Sequence, residues 1–164
     1  MAEEKRQWQP REMRLVSEYL AKNYADYPTR TRVRVGSIHP DLKPEQLSES
    51  EKKMVGVFRR WADAIVFMPD RLVLIEAAIR PSPGDISQLQ LYEHLLPHTP
   101  ELAEHKDKPI EKVLLWAIED PPIAAMARQY DIKVIYFHPG WVDDYLRILY
   151  PYERSASLTF PMEE

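Results

Sequence analysis

A predicted β-hairpin constrains this chain more than any other feature, because it brings two acidic side chains together. Residues 61–67 and residues 72–79 each have the composition of a strand, and the Met-Pro-Asp-Arg segment 68–71 favours a turn. A hairpin folded about the middle of that segment places Asp63 directly opposite Glu76. Opposed residues of an antiparallel pair have Cβ atoms about 4.5–5.5 Å apart. Two carboxylates at that distance repel each other, so the sequence predicts a proton or a divalent cation between them.

The same two acids also have a purely structural interpretation. Asp63 and Glu76 could instead form ion pairs with Arg59, Arg60 or Arg80 at the rim of the sheet. A different hairpin register would separate them altogether, because a shift of one residue exchanges the two faces of a strand.

The second strand of the hairpin is predicted to be buried on both sides except at one end. One face is entirely apolar, whereas the other carries Leu72 and Leu74 near the turn and then Glu76 and Arg80. A strand that is covered on both sides but polar at one end predicts a cleft at that end.

The rest of the chain predicts an alternation of helices and strands. Helices are expected at 10–24, 85–96, 120–130 and 139–149, further strands at 31–38, 112–118 and 132–137, and a short helix or loop at 44–53. Strands joined through helices should be parallel, while the hairpin is antiparallel. The predicted fold class is therefore α/β, with a mixed central sheet flanked by helices and an α-β-β-β-α-β-α-β core. We expect one domain at 1–150 and an irregular tail at 151–164.

The charge of the chain is unevenly distributed. The formal net charge is −4, but residues 1–80 carry 15 Lys and Arg against 12 Asp and Glu, and residues 81–164 carry 7 against 14. Arg32 and Arg34 alternate with two valines, so they occupy either an outward strand face or a face that contacts phosphate. This asymmetry allows a basic face on an acidic protein.

Several classes of protein are disfavoured by what the sequence lacks. No apolar run approaches a membrane span, and the first residues have no signal-peptide core. With no Cys the chain has neither disulfides nor thiolate metal sites, so we expect a cytoplasmic protein without a membrane partner. A Gly-rich phosphate loop and a Gly-x-Ser-x-Gly elbow are also absent, which disfavours P-loop hydrolysis and acyl transfer. His94, His98 and His105 lack the spacing of a zinc site and are interpreted as surface residues.

The order of elements and three short motifs resemble the PD-(D/E)XK nuclease superfamily. The motifs are Asp63 on one strand, Ile75-Glu76-Ala77-Ala78 on the next, and Gln88-Leu-Gln-Leu-Tyr92 on the following helix. This superfamily has the restriction-endonuclease-like fold, and the RecB-like and Holliday-junction-resolvase-like branches are the most similar. The resemblance covers roughly residues 10–140. The literal Pro-Asp of the turn does not belong to the motif, because it is remote from Glu76.

The resemblance implies a metal-dependent nuclease that acts on DNA phosphodiesters. Asp63 and Glu76 would bind Mg²⁺ or Mn²⁺ together with the backbone carbonyl of Ala77, and Glu18 would match an acid that some branches take from the first helix. Mg²⁺ prefers hard oxygen ligands and keeps several waters, which suits one or two carboxylates and a phosphate oxygen.

The resemblance also implies residues that contact DNA. Gln88 and Tyr92 match the Gln-x-x-x-Tyr motif of the RecB-like branches and are one helical turn apart, so both could face the same cleft. Arg32 and Arg34 are the expected phosphate contacts on the preceding strand.

The sequence departs from the family pattern where the catalytic Lys should be. That position is Ala78, and the loss of one preorganised charged group typically lowers a rate by about 10²–10³. Arg80 is the first candidate for its replacement, since it is two residues further on the same strand. Other possible donors are Lys52, Lys53, Arg59 and Arg60.

Two functions therefore follow from the sequence. The first is a Mg²⁺-dependent nuclease in which Arg80 or a nearby Lys replaces the missing Lys. The second is an inactive nuclease fold that serves as a DNA-binding or structural module of a phage or mobile element. A homo-oligomer or a larger assembly is compatible with either function.

Overall fold

A computed structural model describes residues 10–36, 48–50 and 60–149 of the chain. The predicted tail at 151–164 and the candidate donors Lys52, Lys53 and Arg59 lie outside these residues, as does most of the expected segment at 44–53. None of the helices in the described ranges has the length and apolar character needed to cross a bilayer.

Helices and strands occur in the predicted order. The helices are α1 (Pro10–Asn23), α2 (Pro83–Leu95), α3 (Pro121–Gln129) and α4 (Gly140–Leu149), and the strands are β1 (Thr29–Val35), β2 (Arg60–Phe67), β3 (Leu72–Ala78), β4 (Ile110–Trp116) and β5 (Ile132–Tyr136). Two short 3₁₀ segments, Leu96–His98 and Pro100–His105, follow α2. The predicted α-β-β-β-α-β-α-β core and the helix after it are confirmed.

The five described strands form one mixed sheet in the order β1-β2-β3-β4-β5. The β1–β2 and β2–β3 pairs are antiparallel, whereas the β3–β4 and β4–β5 pairs are parallel, as expected. In the hairpin, Phe67 pairs with Leu72 and Ile65 pairs with Leu74, which is the predicted register. Strand β1 lies at one edge of this sheet.

Each face of the sheet is covered by an apolar layer. Val73 and Ile75 of β3 belong to a cluster that also contains Leu15 and Val16 of α1 and Val142 of α4. On the opposite face, the apolar cluster joins the hairpin and β4 to α2 and α3. The hairpin is therefore buried in the middle of a three-layer structure, and only its ends can meet solvent.

Helix α2 begins earlier than the sequence predicts. Ser82 is its N-cap: the hydroxyl of Ser82 accepts a hydrogen bond from Gly84 N at 3.2 Å, and Asp85 accepts one from Ser82 N at 3.0 Å. This reciprocal pair of bonds is a capping box, which starts a helix at the next residue, here Pro83. It also places the carboxylate of Asp85 in the first turn of the helix, directly after the end of β3.

Candidate acidic site at the end of the hairpin

The two acids of the hairpin lie beside each other where the β2–β3 ladder ends. Ala64 and Ile75 are the last pair of that ladder, and Asp63 and Glu76 are the next residues in the same register. The ladder does not continue through the backbone there. Instead, Oδ2 of Asp63 accepts a hydrogen bond from the backbone N–H of Ala77 at 2.8 Å. A side-chain oxygen thus takes the place of a main-chain acceptor, and the two carboxylates face the same space.

Glu76 is buried in a way that is unusual for an acid. Glu76 is only 8% exposed. Its Oε2 atom is buried without a hydrogen-bond partner among the described residues. Burial is the main cause that raises the pKa of Glu76, to about 9, and the adjacent charge of Asp63 adds to the shift. Burial also raises the pKa of Asp63, to about 6, although the bond from Ala77 opposes this. Without a cation, the pair retains at least one proton at neutral pH.

Two further acids act on this pair, and neither was predicted from the sequence. The charges of Glu12 in α1 and Asp85 in α2 raise the pKa of Asp63, and Asp85 also raises that of Glu76. Burial raises the pKa of Asp85 itself. The sequence contains a signal for Asp85, because Ser82-x-x-Asp85 is a capping-box pattern that fixes the start of α2. For Glu12 we find no such signal.

Glu18, the acid of the first helix that the resemblance implies as a metal ligand, makes two hydrogen bonds in the structure. Its Oε2 atom accepts a hydrogen bond from the indole N–H of Trp141 at 2.8 Å, and its Oε1 atom accepts one from Arg14 at 3.1 Å. The bond from Trp141 is the main cause that lowers the pKa of Glu18. Glu18 therefore ties α1 to α4, and the acid of α1 that acts on Asp63 is Glu12.

A buried indole lies next to the acids. Trp116 at the end of β4 is completely buried, and its indole nitrogen makes no hydrogen bond of normal geometry with the described residues. The indole is nevertheless near enough to Asp85 to lower that group's pKa, against the larger effect of burial. The floor of the site therefore combines a buried donor with buried acceptors that are not all paired.

The expected position of Arg80 is corrected. Strand β3 ends at Ala78, and Ile79 and Arg80 form a bend. The alternation of strand faces, which was the reason to place Arg80 on the same side as Ala78, does not extend to it. Ala78 itself is half-buried and packs against the apolar cluster under α2. A role for Arg80 in place of the Lys that the resemblance implies stays a prediction.

An arginine of the edge strand lies opposite Asp63 and has an uncommon backbone conformation. The β1–β2 pairs on either side of this position are Thr31 with Ala64 and Val33 with Ala62, so Arg32 is the residue that faces Asp63 in register. Arg32 has φ 51°, in the left-handed region. Such a conformation costs on the order of 1–3 kcal/mol and is uncommon for a residue other than glycine. The charge of Arg32 lowers the pKa of Asp63, although burial of Asp63 has the larger, opposite effect.

The regular alternation of side chains between the two faces of strand β2 is interrupted at Asp63. Ala62 and Ile65 belong to the apolar cluster under α2, whereas Ala64 belongs to the cluster under α1. Strict alternation would put Ala62 and Ala64 on one face. The irregularity therefore coincides with Asp63 and with Arg32 opposite it.

The residues predicted to contact DNA are placed differently from one another. Gln88 is exposed on α2, but Tyr92 is only 6% exposed and packs in the core, so the two do not both line an open cleft as expected. Arg32 and Arg34 are exposed on the edge strand β1. Their guanidinium groups lie 5.7 Å and 4.8 Å from the ring centroid of Trp61.

The donor atoms of the site suit a small, hard cation. Within the described residues, no group of three or more His, Cys, Asp or Glu side chains is arranged to hold a metal ion. The candidate ligands are therefore only the two adjacent acids, Asp63 and Glu76. The buried Oε2 atom of Glu76 has no hydrogen-bond partner among the described residues. Two carboxylates would suit Mg²⁺, because this ion keeps several waters and needs few protein ligands.

Comparison with known proteins gives only distant similarity. No protein-family model matches the chain, and no curated protein sequence matches it. Among solved structures, the chain is similar to a repair endonuclease from Pyrococcus abyssi, with 12% identity and a TM-score of 0.44 over 80% of this chain and 48% of the other. It is also similar to a protein of unknown function, with 12% identity and a TM-score of 0.43 over 74% of this chain and 52% of the other. The chain thus spans about half the length of these structures, and nothing about its activity follows from them.

Proposed function

We propose that the protein is a Mg²⁺- or Mn²⁺-dependent nuclease that acts on DNA phosphodiesters. The observation that carries this proposal is the burial of Glu76 beside Asp63, with one carboxylate oxygen lacking a hydrogen-bond partner among the described residues. Two adjacent buried carboxylates destabilise a fold unless a proton or a cation offsets their repulsion. A divalent cation would let both groups ionise at neutral pH.

The chain's own residues have distinct roles in this proposal. Asp63 and Glu76 would hold the ion together with the carbonyl of Ala77, and the hydrogen bond from Ala77 N fixes the orientation of Asp63. When bound, the ion would lower the pKa of a water molecule and neutralise charge on the phosphate. Glu12 and Asp85 add negative potential that attracts divalent cations.

The edge strand supports DNA as the substrate. Arg32 and Arg34 are exposed on β1, and Arg32 lies opposite Asp63 in the β1–β2 register. Arginine forms strong hydrogen bonds with phosphate oxygens. A phosphate group held by these side chains would therefore be close to the acidic pair.

Metal titration and cleavage assays test this proposal together. The wild type should bind Mg²⁺ or Mn²⁺ in calorimetry and cleave at least one of single-stranded, duplex and branched DNA. Glu76→Gln and Asp63→Asn should lose both properties. Asp70→Asn is a matched control, because Asp70 is an exposed acid at the opposite end of the same hairpin. Cleavage that survives in Glu76→Gln, or no cleavage of any substrate, would contradict the proposal.

A second candidate function is favoured by one observation, the half-buried Ala78 at the position of the family's Lys. A site without that positive charge has lost part of its catalytic apparatus, which suits a nuclease fold retained as a DNA-binding or structural module. This function predicts that DNA binding in EDTA is unchanged in Glu76→Gln. Turnover stimulated by Mg²⁺ would exclude it.

A further inference from the structure

The edge of the sheet next to the acidic pair carries an exposed tryptophan between arginines. Trp61 of β2 is 41% exposed, whereas Trp116 is completely buried and Trp141 donates its N–H to Glu18. The guanidinium of Arg34 lies 4.8 Å from the centroid of the Trp61 ring, and that of Arg32 lies 5.7 Å from it. A large aromatic ring thus remains accessible and is flanked by two positive charges.

This combination of groups is suited to an unpaired nucleotide. Aromatic rings and guanidinium planes both stack on bases, and arginines also bind the adjacent phosphates. A duplex keeps its bases stacked on one another and presents phosphates and groove edges instead. An exposed Trp61 gains little from a duplex, whereas a single strand can use the ring and both arginines.

The surface also leads directly to the acidic pair. Trp61 is two residues before Asp63 on β2, a separation of at most about 7 Å along the chain, including where the strand loses its alternation of faces. Arg32 connects the two positions, because its guanidinium lies over the Trp61 ring and its charge acts on Asp63. A strand bound at Trp61 would therefore have a neighbouring phosphate close to Asp63 and Glu76.

We infer that the surface formed by Trp61, Arg32 and Arg34 binds single-stranded nucleic acid and delivers it to the acidic pair. One base stacks on Trp61, and the flanking phosphates contact the two arginines. The delivery step rests on the proposed nuclease function. The binding step does not, because it needs neither metal nor cleavage.

Binding in EDTA tests the inference separately from catalysis. Fluorescence anisotropy is measured with labelled oligo-dT, oligo-rU and a mixed-sequence DNA duplex, at two salt concentrations. We expect single strands to bind more tightly than the duplex, and Trp61→Ala to weaken that binding about 10-fold, as for the loss of one base–aromatic stack. Trp61→Phe should retain most of the affinity but lose the quenching of tryptophan fluorescence by oligo-dT. Tyr130→Ala, which removes a 46% exposed aromatic ring at the residue after α3, should bind like the wild type.

A second variant keeps the test independent of the folding of Trp61→Ala. Arg34→Ala should reduce the slope of affinity against salt concentration by about one counterion. Binding of either single strand supports the inference, and the ratio of the affinities for oligo-dT and oligo-rU shows which of these two strands is preferred. A duplex that binds as tightly as single strands would overturn it, as would wild-type affinity in both Trp61→Ala and Arg34→Ala. Single-strand binding without cleavage would refute the nuclease proposal alone.

Discussion

The Asp63 carboxylate accepts a hydrogen bond from the backbone N–H of Ala77, at 2.8 Å, where the β2–β3 ladder ends. This bond commits one of the two carboxylate oxygens of Asp63 to the backbone. Asp63 therefore has a structural role as well as its proposed role in binding a cation. The two roles can be separated by substitution.

Asp63→Asn should keep the structural role and lose the proposed ligand charge. The amide oxygen of Asn can still accept from Ala77 N, so we expect a free energy of unfolding at pH 7 that is no lower than in the wild type. Asp63→Ala leaves that N–H without its acceptor, which should lower the free energy of unfolding by about 1–3 kcal/mol relative to Asp63→Asn. Urea unfolding of both variants measures this difference. Equal stability of the two would show that the bond to Ala77 contributes nothing.

The stability of the metal-free protein should fall as the pH rises. Glu76 has a pKa of about 9 in the folded state against 4.5 as its ordinary value, so the folded state holds more protons than the unfolded state between these values. The contribution of Glu76 to stability is therefore fully present below about pH 4.5 and declines towards pH 9, by at most about 1.4 kcal/mol per pH unit. Urea unfolding in EDTA across this range should show the decline in the wild type. The decline should be much weaker in Glu76→Gln. An identical slope of stability against pH in this variant would contradict the raised pKa of Glu76.

Divalent cations should reverse that loss of stability. At pH 8, Mg²⁺ at 100 times its dissociation constant should raise the free energy of unfolding by about 2.7 kcal/mol. The gain should shrink at pH 5, where protons compete for the carboxylates. Thermal unfolding with and without EDTA measures the effect. Asp70→Asn should respond like the wild type, and a response that persists in Glu76→Gln would place the ion elsewhere.

Ala78→Lys should introduce the positive charge that the resemblance to the PD-(D/E)XK superfamily implies at this position. If the acidic pair holds a metal, this substitution should raise the rate of DNA cleavage by about 10²–10³, the typical effect of one preorganised charged group. Ala78→Met is the matched control, because it has a similar length without the charge. Single-turnover cleavage measures the rates. Equal rates for the Lys and Met variants would show that this position does not serve the reaction.

His138 should stabilise the fold more at low pH than at high pH. Its Nδ1 lies 2.6 Å from the carbonyl oxygen of Ala117 and its Nε2 lies 2.9 Å from Oδ1 of Asp143, so only the doubly protonated ring can donate to both. These bonds, that of Ala117 first, raise the pKa of His138 above its ordinary value of 6.5. The stabilisation is complete below pH 6.5 and is lost as the pH rises through the raised value.

His138→Gln tests this directly. We expect it to lower the free energy of unfolding more at pH 5.5 than at pH 8.5, and Asp143→Asn should show a weaker form of the same trend. A loss of stability that does not depend on pH would mean that the ring is neutral in the folded protein.

The hairpin was predictable because local signals agree there. The turn at 68–71 and the apolar pairs Phe67–Leu72 and Ile65–Leu74 all specify one register. A slip by one residue would move every side chain to the other face, so the buried pairs fix the position of the acids as well. The parallel crossovers followed in the same way from strands that alternate with helices.

Which residues surround the acidic pair was less predictable, because this depends on where the strands and helices begin and end and on how they pack. Ile79 is buried and apolar like a strand residue, yet β3 stops at Ala78, so Arg80 was misplaced. Glu12 and Glu18 are six residues apart on α1, which is about 120° around a helix, and only the packing of that helix decides which one faces Asp63. The left-handed conformation of Arg32 has no sequence signal that we can identify.

The position of β1 at the rim of the described sheet has a consequence for self-association. The outer side of such a strand presents main-chain groups that could pair with a second copy of the protein and start a growing β-structure. Arg30, Arg32 and Arg34 are exposed on this strand. Two copies meeting rim to rim would bring these like charges together. The arginines therefore protect the protein against aggregation through its own sheet, while leaving the rim attractive to polyanions.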